Sequence, residues 1–293
     1  VFETIFLGVL ICMEGLISRR EAMEKISAGV LLSLGFWPGA LSAFAKNEEQ
    51  KSFKFIVVND LHCLSKECEE WLRMVVAQMR KIHNVDFCII AGDLTEKAEL
   101  KYLSAVKEIF SALSCPFYVQ IGNHDYIIPT SRWTYERVFP HRLNYWFEHR
   151  GWQFVGLDTT DGQKYEKTKI QAETFKWVDK NIRKIDKRKP TVIFTHFPLG
   201  SGTKYRPLNA DDLLDRFREH NLRAVFSGHF HGFTEVKKGE TIFTTNKCCA
   251  LKRGNHDKTT EKGYFVITVK DGVMYREFVQ HYIPDKFLKT AKL

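Results

Sequence analysis

The chain's seven cysteines include no CxxC pair at zinc-ribbon spacing, which argues against a structural zinc site. Internal repeats and low-complexity linkers are also absent, so residues 46–293 read as one domain. A long, clean hydrophobic span is missing too. The apolar stretch from Ile26 to Phe44 is broken by Gly29, Gly35, Pro38 and Gly39 and carries Ser27, Ser33 and Ser42, which disfavours a membrane anchor. Of the cysteines, Cys88 sits in an apolar run and reads as a small core residue. Cys63 and Cys68 straddle a short turn, and Cys248–Cys249 is a vicinal pair. Disulfides are permitted if the protein is exported, but the sequence assigns none.

The chain has 293 residues, 44% hydrophobic and 27% charged, enough to bury one large core or two modest ones. Its formal net charge of +9 becomes +10, 41 basic against 31 acidic residues, once residues 1–45 are set aside. A basic surface favours phosphorylated substrates, nucleic acid or a lipid headgroup surface. Much of the charge lies between Lys164 and Lys189, however, where the simpler reading is a solvated helix face.

Ser18-Arg19-Arg20 and the residues to Lys25 resemble the bacterial twin-arginine export signal. The apolar stretch that follows ends in Ala43-Phe44-Ala45, a small-x-small cleavage pattern, and turns polar at Lys46. Residues 1–45 therefore read as a signal segment, with an uncleaved anchor as the alternative. Residues 1–12 read as a gene-start extension ahead of Met13. The expected location is periplasmic or extracellular, with the twin-arginine machinery as a targeting partner.

Further along, short apolar and β-branched runs predict strands at Phe53–Asn59, Asp86–Ala91 and Phe117–Ile121, and at 153–157, 191–195, 223–227, 241–245, 263–269 and 274–279. Helices are predicted at 65–83, capped by Ser65, and near 96–113, 171–188 and 209–220. The order gives an α/β protein that opens with βαβαβ units and closes with antiparallel strands. The aromatic stretch from Trp133 to Trp152 reads as packing for an irregular segment in preference to a cap over a substrate site.

The chemistry-bearing residues gather where predicted strands end, the place where ligand sites form in open α/β sheets. Asp60-Leu61-His62 closes the first strand, Gly92-Asp93 the second and Gly122-Asn123-His124-Asp125 the third. Thr195-His196 and Gly228-His229-Phe230-His231 close two later ones. A one-residue gap in extended chain points Asp60 and His62 to one face, and likewise His229 and His231. Each motif alone is weak, because such residues usually cap or turn the chain. Five in order, each after an apolar run, are not a coincidence. Carboxylates mixed with imidazoles suit Mn, Fe or Zn. Gly254-Asn255-His256-Asp257 repeats the letters of the third motif but follows a polar stretch, so it reads as a loop turn with His256 near the pocket border.

The ordered set from Asp60 to His231 resembles the calcineurin-like metallophosphoesterase superfamily, and within it the class III cyclic-nucleotide phosphodiesterases and glycerophosphodiesterases. The resemblance implies a two-sheet β-sandwich flanked by helices. It also implies two divalent or mixed-valence metals, one held by Asp60, His62 and His231, the other by Asn123, His196 and His229, with Asp93 bridging. Leu94-Thr95-Glu96 lacks the tyrosine of the purple acid phosphatase branch, which argues against a purple iron enzyme. Two close cations lower the pKa of a bridging water, so a hydroxide is available near neutral pH to attack phosphorus. His124 is the candidate acid for the leaving oxygen, and Asp125 the candidate to orient it. The expected activity is hydrolysis of small organic phosphodiesters or phosphomonoesters. An exported nuclease with nucleic acid as partner, and a non-catalytic phosphate-ligand binding protein, are the less favoured alternatives. Export after folding suits a protein that must first acquire metals.

Overall fold

A computed structural model of the chain describes residues 52–291. The signal-like segment and Cys12 lie outside the described residues. Strand β1 (Phe53–Val58) shows how the layers arise. Its alternate residues Phe53, Phe55 and Val57 face a second sheet, while Ile56 and Val58 face helices. A strand covered on both faces reads as a continuous apolar run. Helix α1 (Lys66–Met79) begins at Ser65, whose side chain accepts the Cys68 N–H. Such a cap contributes about 1 kcal/mol. The helix lays Trp71, Leu72, Val75, Val76 and Met79 on the sheet.

Strand β2 (Phe87–Ala91), helix α2 (Leu100–Ser111) and strand β3 (Phe117–Gln120) follow. Next come helix α3 (Trp133–Val138) and strands β4 (Tyr145–His149) and β5 (Trp152–Gly156). Helix α4 (Ala172–Asn181), strand β6 (Thr191–Phe194), helix α5 (Ala210–Arg216) and strand β7 (Leu222–Ser227) complete the crossovers. The remaining strands are β8 (Thr234–Lys238), β9 (Thr241–Thr245), β10 (Gly263–Lys270) and β11 (Val273–Gln280).

One sheet has the order β11-β10-β1-β2-β3 and the other β4-β5-β6-β7-β9-β8. Both are mixed: β1, β2 and β3 run parallel, as do β5, β6, β7 and β9, with antiparallel strands at the margins. Aromatic rings fill the space between the sheets. Phe55 stacks on Phe87 at 5.0 Å and meets Phe154 edge-on at 5.4 Å. Helices α1, α2 and α3 cover the first sheet's outer face, and α4 and α5 the second's. This is the expected α/β sandwich flanked by helices.

The stretch from Trp133 to Trp152 is not irregular. It forms α3 and β4, with Phe147 stacked 3.7 Å from Tyr118. Tyr135, Phe139 and Trp152 are buried in packing, as anticipated, while Trp133 is half exposed. Among the described residues no helix is long and apolar enough to cross a membrane. The six described cysteines are free thiols, and Cys88 lies in the core. The Cys63 thiol is pushed up to about 12 by its burial.

Candidate metal centre

The parallel strands of both sheets end at one edge of the sandwich, and the five motifs meet there. Strand alternation is not what aims their side chains. Asp60, His62, Asp93, His229 and His231 all lie beyond their strands with φ between 44° and 64°. This corrects the expectation that extended chain pairs Asp60 with His62 and His229 with His231: a left-handed residue on either side of one intervening residue does so. A side chain in that region costs on the order of 1–2 kcal/mol, and packing elsewhere must offset it. Neighbouring loops hold the turns. The Asp60 N–H donates to Gly92 O, the Leu61 and His62 N–H groups to Asp93 O, and the His229 N–H to the Asp60 carboxylate. Gly92, at φ 86°, leaves room for His196, whose Nδ1 a Cβ at that position would meet at 2.4 Å.

Seven side chains converge in two groups. In the first, His231 Nε2 lies 3.1 Å from Asp60 Oδ1 and 3.1 Å from His62 Nε2. In the second, His196 Nε2 lies 3.2 Å from both Asn123 Oδ1 and His229 Nδ1. Asp93 stands between them, with Oδ2 3.5 Å from His62 Nε2 and Oδ1 3.3 Å from His196 Nε2. All seven residues are buried.

The outer nitrogen of each ring faces an acceptor. His196 Nδ1 faces Ala91 O at 3.0 Å, His229 Nε2 faces Tyr165 O at 2.7 Å, and His231 Nδ1 faces Gly254 O at 3.3 Å. His62 Nδ1 lies 3.0 Å from Glu96 Oε2. A ring proton kept on the outside leaves a lone pair directed inward. Inward lone pairs 3.1–3.2 Å apart repel unless a proton or a cation lies between them. Oxygen and imidazole donors arranged in this way fit divalent metal ions.

The electrostatics carry the same message. Burial and the neighbouring His196 charge hold His229 down to about 3, and burial holds His62 down to about 4. Against the same burial, Asp93 and Asp60 raise His196 to about 9, and Asp60 raises His231 well above its usual value. In each group one imidazole, His196 or His231, is thus pushed toward its charged form by an aspartate, in a place where a cation would be stabilised.

His124 and Asp125, adjacent in the chain, serve different places. His124 Nδ1 lies 3.0 Å from Glu96 O, its Nε2 faces the pocket, and its N–H donates to Asp93 Oδ1 at 2.9 Å. The Asp125 carboxylate accepts from the N–H groups of Gly122, Leu94 and Thr95 and from the Thr95 hydroxyl. It is fully buried and does not orient His124, a correction to the sequence reading. Burial and the Asp93 charge raise it to about 7 against those donors. Its role is to tie the second and third loops together. The carboxylate beside His124 is Glu96, with Oε1 3.7 Å from Nδ1.

A cavity of about 680 Å³ opens over the two groups, lined among others by His124, Tyr165, Tyr205, Arg253 and His256. The second GNHD string is indeed a loop, and His256 borders the cavity, its ring stacked 4.9 Å from His231. Sequence reasoning missed Glu96 and Arg253. For Glu96 the one available signal was a carboxylate three residues after Asp93. Arg253 offered none.

Residues 53–233 match the family described as calcineurin-like phosphoesterase. The "Probable cyclic nucleotide phosphodiesterase" of Psychrobacter arcticus is 25% identical over 62% of this chain and 70% of its own length. The "Probable glycerophosphodiester phosphodiesterase GpdQ" of Arcobacter nitrofigilis is 26% identical over 55% of this chain, which spans 62% of that relative. Among solved structures, a purple acid phosphatase from yellow lupin superposes with a TM-score of 0.57 at 13% identity, over 78% of this chain and 51% of that one. That likeness is one of fold.

Proposed function

The chain belongs to the calcineurin-like phosphoesterase family, a family of phosphoester hydrolases, and from that premise we propose that it hydrolyses esters of small organic phosphates using two metal ions, Mn, Fe or Zn. The observation that carries the proposal is the division of the Asp93 carboxylate, Oδ2 toward His62 and Oδ1 toward His196. Asp60, His62 and His231 would hold one ion, Asn123, His196 and His229 the other, and Asp93 both. When bound, such ions polarise phosphoryl oxygens and make water a nucleophile near neutral pH.

The remaining work falls to the protein's own groups. His124 presents Nε2 to the cavity while Glu96 O fixes its Nδ1, the arrangement needed to deliver a proton to a leaving alkoxide. Glu96 itself stays ionised: although burial opposes this, His62 and Arg253 hold it at about 2. The cavity volume suits a small ester. The names of the two bacterial relatives support a small diester as the first substrate to try. The Ser18–Lys25 segment supports export to the periplasm or beyond as part of the same proposal. The test is hydrolysis of bis-p-nitrophenyl phosphate and p-nitrophenyl phosphate by the metal-loaded chain. Turnover abolished by chelator and restored by Mn(II) supports the proposal; turnover indifferent to both removes it.

A further inference from the structure

We propose that Arg253 is a substrate-contacting residue that holds the additional charged oxygen of a dianionic phosphate, and so sets how well the site accepts monoesters relative to diesters. The inference rests on reading the cavity as a phosphoesterase site. Arg253 lies in the loop after β9, far in sequence from every motif that builds the two imidazole groups.

Several interactions fix this loop from within. The Cys249 N–H donates to Asn59 O, and Trp71 Nε1 donates to Cys249 O at 2.8 Å. The Asn255 side chain receives the Cys248 N–H and donates to Thr259 O and Glu261 O. The His256 N–H donates to His231 O. Lys262 is 1% exposed, and its Nζ donates to Arg253 O at 2.5 Å and to Cys248 Sγ at 3.1 Å. A lysine is rarely buried this fully, so its contacts mark the carbonyl of Arg253 as a place the fold holds firmly.

The side chain is aimed as well. Nε donates to Glu96 Oε2 at 3.0 Å, and Nη2 donates to Glu96 Oε1. This two-point pair orients the planar guanidinium in a way a lysine cannot reproduce. Nη2 also lies 3.5 Å from His124 Nε2, on the cavity side. Among the described residues Nη1 has no hydrogen-bond acceptor, and the side chain is 35% exposed toward the cavity it lines. A guanidinium has five N–H donors; Glu96 takes two and His124 Nε2 can accept a third, so the two on Nη1 remain for an anion.

Chemistry then decides what those donors distinguish. A phosphomonoester carries three non-bridging oxygens and about two negative charges, and a diester carries two such oxygens and one charge. A fixed guanidinium beside the candidate acid has a further anionic oxygen to hold only in the monoester, or in the inorganic phosphate it releases. Burying a charge-assisted hydrogen bond of this kind alters binding by on the order of 10- to 100-fold.

The test uses the full chain loaded with Mn(II), its metal content measured, and three forms of residue 253: wild type, R253K and R253M. Inorganic phosphate is titrated calorimetrically, and kcat/KM is determined for p-nitrophenyl phosphate and bis-p-nitrophenyl phosphate. For R253M the expected result is phosphate binding weakened on the order of 10- to 100-fold and a loss of kcat/KM on the monoester that exceeds the loss on the diester by about the same factor. R253K should recover only part of the loss. Equal losses on both esters, or unchanged phosphate affinity, would overturn the assignment. If R253M sheds metal because Glu96 is left unpaired, the double variant E96Q/R253M removes that charge and the same two readouts decide. Wild-type chain that hydrolyses neither ester refutes the proposed function alone, because phosphate titration still reports on Arg253.

Discussion

Oδ1 of Asp93 lies 3.3 Å from Nε2 of His196, and the pair sets the pH at which the site can take up a cation. Burial disfavours a charged His196, yet Asp93, Asp60 and Ala91 O raise it to about 9. Below that pH the ion-free site holds a proton that a metal must displace. Metal affinity should therefore rise with pH by about tenfold per unit for each displaced proton, and the part due to His196 should level off above about pH 9. Calorimetric titration of Mn(II) in buffers of different ionisation enthalpy measures the released protons. Affinity independent of pH between about 6 and 9 would contradict the assignment.

Replacing Asp93 with Ala removes the carboxylate shared by the two groups. Metal content and hydrolysis should fall together, with activity down by more than about a thousandfold. Mass-spectrometric metal analysis beside an activity assay checks this, and a variant that keeps its activity would refute the bridging role.

Asp125→Asn is expected to damage the fold more than the chemistry. The new amide would point a donor at N–H groups now satisfied by a carboxylate. A loss of about 2–4 kcal/mol is expected, lowering Tm by roughly 5–15 °C. The dependence of rate on leaving group should stay as in the wild type. A variant with unchanged Tm and altered leaving-group dependence would restore the direct partnership with His124.

The sequence and the structure diverge in instructive ways. The five motifs were legible because each follows a buried apolar run, so pattern alone located the strand ends. Their backbone was not: nothing in Asp60 or His231 as residue types announces a left-handed φ, which neighbouring loops impose. Glu96 and Arg253 pair across 157 residues, a distance over which periodicity carries no information. Strand β8, Thr234–Lys238, escaped notice because it is an edge strand with lysines in place of an apolar run. Asp125 was misread because adjacency in sequence suggested a partnership with His124 that the short 3₁₀ turn over Asn123–Asp125 separates.

His124→Ala should slow esters of alkyl alcohols by on the order of 10²–10⁴-fold while sparing p-nitrophenyl esters, whose leaving group needs no proton. A series of esters graded by alcohol pKa gives the slope directly. The same loss across the series would argue against an acid at this position.

The most direct test of the two-metal account is a titration of Mn(II) into metal-stripped full chain while bis-p-nitrophenyl phosphate hydrolysis and bound metal are followed together. The account predicts no turnover without metal and activity that saturates as the second equivalent binds. Two metals bound with no hydrolysis of the diester or of p-nitrophenyl phosphate would contradict it.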